Sequence, residues 1–297
     1  FPLKIVFKSF KFNFIDLEYE IYHFHFLNFK SLILVEFLKF FKKKVIVTFH
    51  GADIQIKKKI NYGFRINNKY NNYLEQIVKE VDAFQCISKN IYKDLIKLNI
   101  KRKKIRNIPN SIELNKFKSN SKSNNITKSL NLITVGRYAK YKKGFDLLPF
   151  LGKKLISHKI KFKWFIIGDN TKQIYEDEFL KKNCKFFIPI ANIENINERY
   201  FPPKKLIKYY SSSHLYINLA RIESFGLTFI EALASKVPII SFKTKGANEI
   251  LINKKNGFFV KNLNEIVMLL SKIQKFPKEY KKVKKGTYNS IIKFSLD

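Results

Sequence analysis

Sulfur and arginine are scarce in this chain, and both shortages narrow what it does. Its two cysteines, Cys86 and Cys184, lie far apart and outside any metal-ligand spacing. That excludes a disulfide framework and a cysteine-based zinc site, and free thiols fit a reducing cytoplasm. The only methionine is Met268 and the chain begins at Phe1, so the natural start is expected to be missing, with any targeting segment. No secretory signal is visible, because the N-terminus alternates lysine with aromatics. No apolar run reaches the ~20 residues of a spanning helix. Residues 31–41 come nearest, and they carry Glu36 and Lys39. Acids are scarce too: 23 Asp and Glu against 58 Lys and Arg, a formal +35 over 297 residues. Negatively charged partners follow as candidates: nucleic acid, an anionic membrane or a phosphorylated small molecule. Only six of the 58 cations are arginine, the residue that nucleic-acid readers favour for bidentate contacts. No nucleic-acid partner is expected. Lys, Asn, Ile, Phe and Tyr dominate together, the composition of an AT-rich genome drifting at solvent-facing positions.

What is present is an alternation. Hydrophobic residues make up 45%, enough for a real core. Short apolar runs at 44–51, 82–88, 104–112, 130–137, 161–169, 214–220, 237–242 and 257–260 read as strands. Helical patterns follow several of them, at 89–98, 144–157, 206–213, 225–235 and 246–252. Near-continuous apolar strands alternating with helices predict parallel sheets covered on both faces. The polar run "KSNSKSNNITKS" (118–129) is the best linker candidate. It divides the expectation into an N-terminal domain, 1–120, and a C-terminal domain, 121–297.

In open parallel sheets ligands bind outside the carboxyl ends of the strands. The informative residues therefore follow strands: His50, Gly136, Arg137, Gly168, Asp169, Arg221 and Glu223. In "RIESFGLTFIEALASKVPII" (221–240) two acids interrupt an apolar stretch. A helix starting near Gly226 would offer free backbone N–H groups, and Gly226 leaves room for a phosphate. Glu231, one turn in, could accept from ribose hydroxyls, and Glu223 from those of a sugar ring. The alternative, that Glu223 caps the helix and Glu231 faces solvent, has equal weight on this stretch alone. "VGRYAKYKKGFD" (135–146) adds Arg137 and Lys143, cations suited to a diphosphate. His23 and His25 alternate along an apparent strand and read as packing residues more than metal ligands. His158 and His214 read as structural.

Glu223 and Glu231 form E-x7-E, and the segment around them resembles retaining glycosyltransferases of the GT-B fold, glycosyltransferase family 4. "VGRYAKYKKGFD" resembles that family's donor-diphosphate segment, and "IIGDN" (166–170) its Gly-Asp-Gly turn. "VTFHGAD" (47–53), "CISKNI" (86–91), "IPNSIELNKF" (108–117) and "TKGANEILINKKNGFFV" (244–260) follow the family's order. The resemblance implies two Rossmann-like domains facing a central cleft and a nucleotide-sugar donor held mainly by the C-terminal domain. Arg137 and Lys143 would bind the diphosphate, with the amides of Phe225, Gly226 and Leu227; Gly136, Gly168 and Asp169 would shape the donor site. Glu231 would hold the ribose, Glu223 the transferred sugar, and His50 would face that sugar. It further implies retention by front-face attack with no protein general base, no cofactor and no metal. The acceptor would be a saccharide or a lipid-linked saccharide, and the basic surface would rest on anionic lipid at the cytoplasmic face of the membrane. The family's first strand with its Gly-rich loop, and its last helix, have no counterpart in the sequence, so truncation at both termini is expected; a catalytically impaired relative or fragment is one alternative to the active transferase, and a basic nucleic-acid-binding protein a more distant one. A related GT-B protein of different chemistry, such as a phosphorylase or epimerase, is the nearest alternative; the cofactor lysine site of a phosphorylase is not found.

Overall fold

The structure is a computed structural model. It describes residues 17–117, 125–191, 193 and 202–296, together with the backbone of 6–7 and 10–11, where β1 (Val6–Phe7) and β2 (Phe10–Lys11) form a short antiparallel pair. The chain divides into two compact units, Phe1–Pro109 and Asn110–Asp297.

Unit 1 holds β3 (Ile21–His25), α1 (Phe29–Phe40), β4 (Lys44–Phe49), α2 (Asn68–Glu80), β5 (Ala83–Cys86), α3 (Lys89–Lys97) and β6 (Ile105–Asn107). The four strands β3 to β6 are parallel and lie side by side in chain order. Side-chain oxygens start the helices. Asn28, Asn67 and Ser88 each accept a backbone N–H from the first turn of α1, α2 and α3. Ser88 stands between an apolar strand and an amphipathic run, the place a cap takes.

Unit 2 holds β7 (Leu130–Val135), α4 (Leu148–Ser157), β8 (Phe162–Ile167), α5 (Glu178–Lys182), β9 (Phe187–Ile190), α6 (Lys204–Ser212) and β10 (Leu215–Asn218). Then follow α7 (Leu227–Ala234), β11 (Ile239–Phe242), α8 (Ala247–Ile250), β12 (Gly257–Val260), α9 (Leu263–Lys275) and α10 (Lys278–Gly286). Its six strands are parallel in the order β12-β11-β10-β7-β8-β9. The chain builds outward from β7 through β9, then returns to the other flank of β7. The switch point is therefore the gap between the ends of β7 and β10, where an open sheet leaves a crevice. Trp164, Phe187, Leu151 and Leu270, all buried, are part of the core on which this sheet rests. Pro149 does not break α4, because it sits in the first turn, where its missing N–H has no partner to lose.

The unit boundary falls at Pro109, not at 120. Residues 110–117 already belong to unit 2. Ile112 donates to Phe294 O (3.0 Å) and accepts from Leu296 N (3.1 Å), and Leu114 and Phe117 are buried. An apolar anchor outweighs the polar run that follows it, and most of that run, 118–124, lies outside the described residues.

Candidate functional site

The site in unit 2 is built on the ends of β7, β8 and β10. After β7, Gly136 N donates to Ile167 O (2.8 Å); after β8, Gly168 N donates to Ile190 O (2.9 Å) and Asp169 O accepts from Tyr138 N (2.8 Å). The two turns interlock through backbone. Gly168 has φ +137°, and a Cβ there would sit 2.5 Å from Gly136 O, so only glycine lets the turns approach this closely. Arg137 projects from this junction, exposed and without an ion pair among the described residues.

Residues 139–146 lie across the end of β10. Arg221 fastens them there. Its backbone N donates to Lys142 O (3.0 Å), its Nη1 donates to Tyr141 O (2.9 Å), and its guanidinium grips both oxygens of Asp146 (2.7 and 2.7 Å). Two parallel charge-assisted bonds fix an angle as well as a distance. Beside them Lys143 Nζ meets Glu223 Oε2 at 2.9 Å. Burial, reinforced by the charge of Lys143, pulls Lys142 down to about 8. The loop thus concentrates positive charge at the switch point.

Gly226 precedes α7 in the left-handed region, φ +100°, with no side-chain cap. The N–H groups of Gly226, Leu227 and Thr228 meet no acceptor among the described residues, which leaves donors and the positive end of the helix dipole at the crevice. Phe225 is buried against Phe294, ring centroids 5.6 Å apart, while Leu227 is half-exposed. Gly246 N donates to Glu223 O (2.9 Å), holding the residue from behind.

Glu231 follows one turn later. The solvent-facing alternative is overturned: Glu231 is 3% exposed, and its Oε2 accepts from the Tyr210 hydroxyl at 2.8 Å. Burial pushes its carboxyl up to about 7, against the pull of that hydrogen bond. The capping role for Glu223 falls as well, since its carboxylate is taken by Lys143. The Tyr216 hydroxyl bridges Val135 O (3.1 Å) and Thr228 Oγ1 (2.9 Å), pinning the start of α7 to the end of β7. Of the residues expected here, Gly136, Arg137, Lys143, Gly168, Asp169, Glu223, Phe225, Gly226, Leu227 and Glu231 all lie at the ends of these strands or in the first turns of α7. Asp146, Tyr210 and Tyr216 went unread, and Arg221 was noted only for its place after a strand.

His50 lies in unit 1, in the turn after β4. The buried Asp53 carboxylate shapes that turn by accepting His50 N (3.2 Å), Gly51 N (2.8 Å) and, from the turn after β3, Leu27 N (3.3 Å). Burial raises Asp53 to about 6, and these bonds oppose it. His23 and His25 do share a face, ring centroids 4.3 Å apart, and His25 Nδ1 is 3.4 Å from His50 Nε2. His23 Nε2 is 2.7 Å from Thr48 Oγ1. Burial first, then the neighbouring rings, hold His23 and His50 below the usual histidine range. Among the described residues no three His, Cys, Asp or Glu are placed to hold a metal ion. His214 is structural: its buried Nδ1 accepts from Asn131 N (2.8 Å).

Two family models match in sequence along the chain: Glycosyltransferase Family 4 over residues 4–116 and Glycosyl transferases group 1 over residues 115–291. A Klebsiella pneumoniae protein described as an uncharacterized 41.2 kDa protein in the cps region is 24% identical over 279 residues, 90% of this chain and 71% of that protein. The alpha-monoglucosyldiacylglycerol synthase of Acholeplasma laidlawii is 25% identical over 226 residues, 72% of this chain and 52% of its own length. Anabaena HepE in complex with UDP-glucose superposes with a TM-score of 0.73 at 13% identity, covering 94% of this chain and 76% of that one. That likeness speaks to the fold, which is GT-B. With the group 1 model covering more than half of its residues, the chain belongs to the glycosyltransferases of group 1, family 4.

Proposed function

We propose that this glycosyltransferase moves a sugar from a nucleoside-diphosphate donor to a hydroxyl of a surface polysaccharide, lipopolysaccharide or glycolipid, with retention at the anomeric carbon. One observation carries the reading. At the switch point of unit 2, α7 starts with free amides just after Glu223, whose carboxylate holds Lys143 at 2.9 Å, a buried carboxylate lies one turn into the helix, and Arg137 stands exposed after β7. A diphosphate suits the amides and cations, which would stabilise the charge that grows on the leaving oxygen. Glu231 would accept from the ribose hydroxyls, and Glu223 from hydroxyls of the transferred sugar. Lys143 is held by Glu223 at 2.9 Å, so the diphosphate would share that ammonium with the carboxylate. His50 would meet the sugar. No protein base is assigned: the leaving diphosphate takes the acceptor's proton, and the cations do the work that a metal does elsewhere. The acceptor is a saccharide or lipid-linked saccharide, and the basic chain meets it at an anionic membrane surface on the cytoplasmic side. The capsule-region and glucolipid relatives support this acceptor class.

A thermal-shift screen of UDP-, GDP- and ADP-sugars tests the proposal, with Glu231→Ala as control. One donor should raise the melting temperature of the wild type and leave the variant unmoved. If no donor shifts the wild type, the reading fails.

A further inference from the structure

In a sheet of parallel strands every strand begins at the same end. In unit 1 that end carries the C-terminus of α1 and the turns that lead into β4, β5 and β6. Phe40 and Phe41 close α1 with 81% and 41% of their surfaces exposed. They are not loose. Phe41 packs on Phe37 (4.8 Å between centroids) and Phe40 stands edge-on to Phe41 (5.3 Å), forming an aromatic ridge. Lys42 and Lys43 follow directly, without an ion pair among the described residues, whereas Lys39 and Lys44 are spent on Asp82 (2.6 and 3.9 Å). Two strands away, Lys101, Arg102 and Lys103 stand exposed just before β6. Aromatic rings flanked by unpaired cations, all at one end of a sheet, are what an anionic bilayer interface attracts.

We infer that unit 1 docks on anionic lipid through this end, with Phe40 and Phe41 inserted among the headgroups and Lys42, Lys43 and the Lys101–Lys103 turn on the phosphates. The inference extends the membrane part of the proposed function. A ridge of two mutually packed rings gives no slot in which a base could stack between aromatics. The cations are chiefly lysines, point charges that answer a charged surface without the bidentate geometry of arginine. Such a lysine strengthens partitioning by about fivefold. The patch is also remote from the other end of the sheet. β4 runs from Lys44 to Phe49, which at about 3.3 Å per residue puts His50 roughly 20 Å from the ridge. Lipid docking and donor binding are therefore separable by mutation.

The test is co-sedimentation of the full chain with vesicles of phosphatidylcholine alone or mixed with phosphatidylglycerol. The wild type should bind the mixed vesicles only, and less as salt rises. Phe40→Ser with Phe41→Ser, and separately Lys42→Glu with Lys43→Glu, should each weaken binding at least about tenfold, while the melting temperature and any donor-induced shift stay as in the wild type. Lys42 is exposed and Lys43 half-buried, neither in the core, so the second pair guards against a folding defect in the first. No binding to mixed vesicles, or variants that bind as the wild type does, overturns the inference. So does a loss confined to single-stranded DNA retention or to self-association in light scattering. A failed donor shift with intact vesicle binding would instead strike the transferase reading and leave this one standing.

Discussion

Replacing Glu231 by glutamine should stabilise the protein in alkaline solution. The carboxyl ordinarily titrates at 4.5 and is pushed up to about 7 by burial. Between those values the folded chain holds a proton that the unfolded chain has released. The contribution of this group to stability is thus complete below 4.5 and is lost as pH rises through 7. At about 1.36 kcal/mol per pH unit the loss approaches ~3 kcal/mol by pH 8.5. Glutamine has nearly the same shape and never ionises. Its hydrogen bond from Tyr210 is neutral on both sides, which returns about 1 kcal/mol of the gain. A net ~2 kcal/mol corresponds to roughly 4–8 °C in a unit of this size. Melting curves of wild type and Glu231→Gln at pH 5 and pH 8.5 check it: near-equal midpoints at the lower pH, the variant ahead at the higher. A variant that melts earlier by the same amount at both would refute the reasoning, because the carboxylate would then be stabilising. The same logic couples to the donor. If ribose hydroxyls bind the ionised carboxylate, nucleotide binding near pH 6.5 expels a proton, seen by calorimetry in buffers of different ionisation enthalpy and absent from Glu231→Gln.

Arg221→Lys should cost about 1–2 kcal/mol, since an ammonium cannot reproduce the two 2.7 Å bonds to Asp146. A double-mutant cycle with Asp146→Asn should return a coupling near 1 kcal/mol, and additivity would show that the pair does not hold the loop. Arg137→Ala should leave the melting temperature within about 0.5 kcal/mol of wild type, yet weaken nucleotide binding by about 10–100-fold; Lys143→Ala should lose binding and stability together, because it also frees Glu223. Gly168→Ala should be poorly folded, with its Cβ 2.5 Å from a backbone oxygen, whereas Gly226→Ala meets side chains alone, the Phe229 ring at 3.3 Å and Glu223 Cγ at 3.5 Å, and should fold with a smaller loss. Circular dichroism melts of the two variants rank them.

The sheet of unit 2 was legible because its strands are buried on both faces and read as continuous apolar runs. "GFFV" falls on β12 residue for residue. The site was legible in part, because loops after parallel strands and a glycine before a helix have local signatures. Its partners were not. Tyr210 reaches Glu231 across 21 residues and Arg221 reaches Asp146 across 75, and nothing in the intervening sequence marks either pairing. "KYYSSS" reads as a helix end whichever tyrosine turns inward. The boundary was misplaced for a related reason: polarity marks where a chain is solvated, whereas Ile112 and Phe117 mark where it is already anchored.

Ile112 is hydrogen-bonded to Phe294 and Leu296, so the first and last stretches of unit 2 are neighbours in space. A fragment opening at residue 110 would bring its two ends together and, if the proposed function holds, would carry every residue assigned to the diphosphate and the ribose. On the proposed reading, donor choice would then be a cassette, one that a single splice point could trade between relatives.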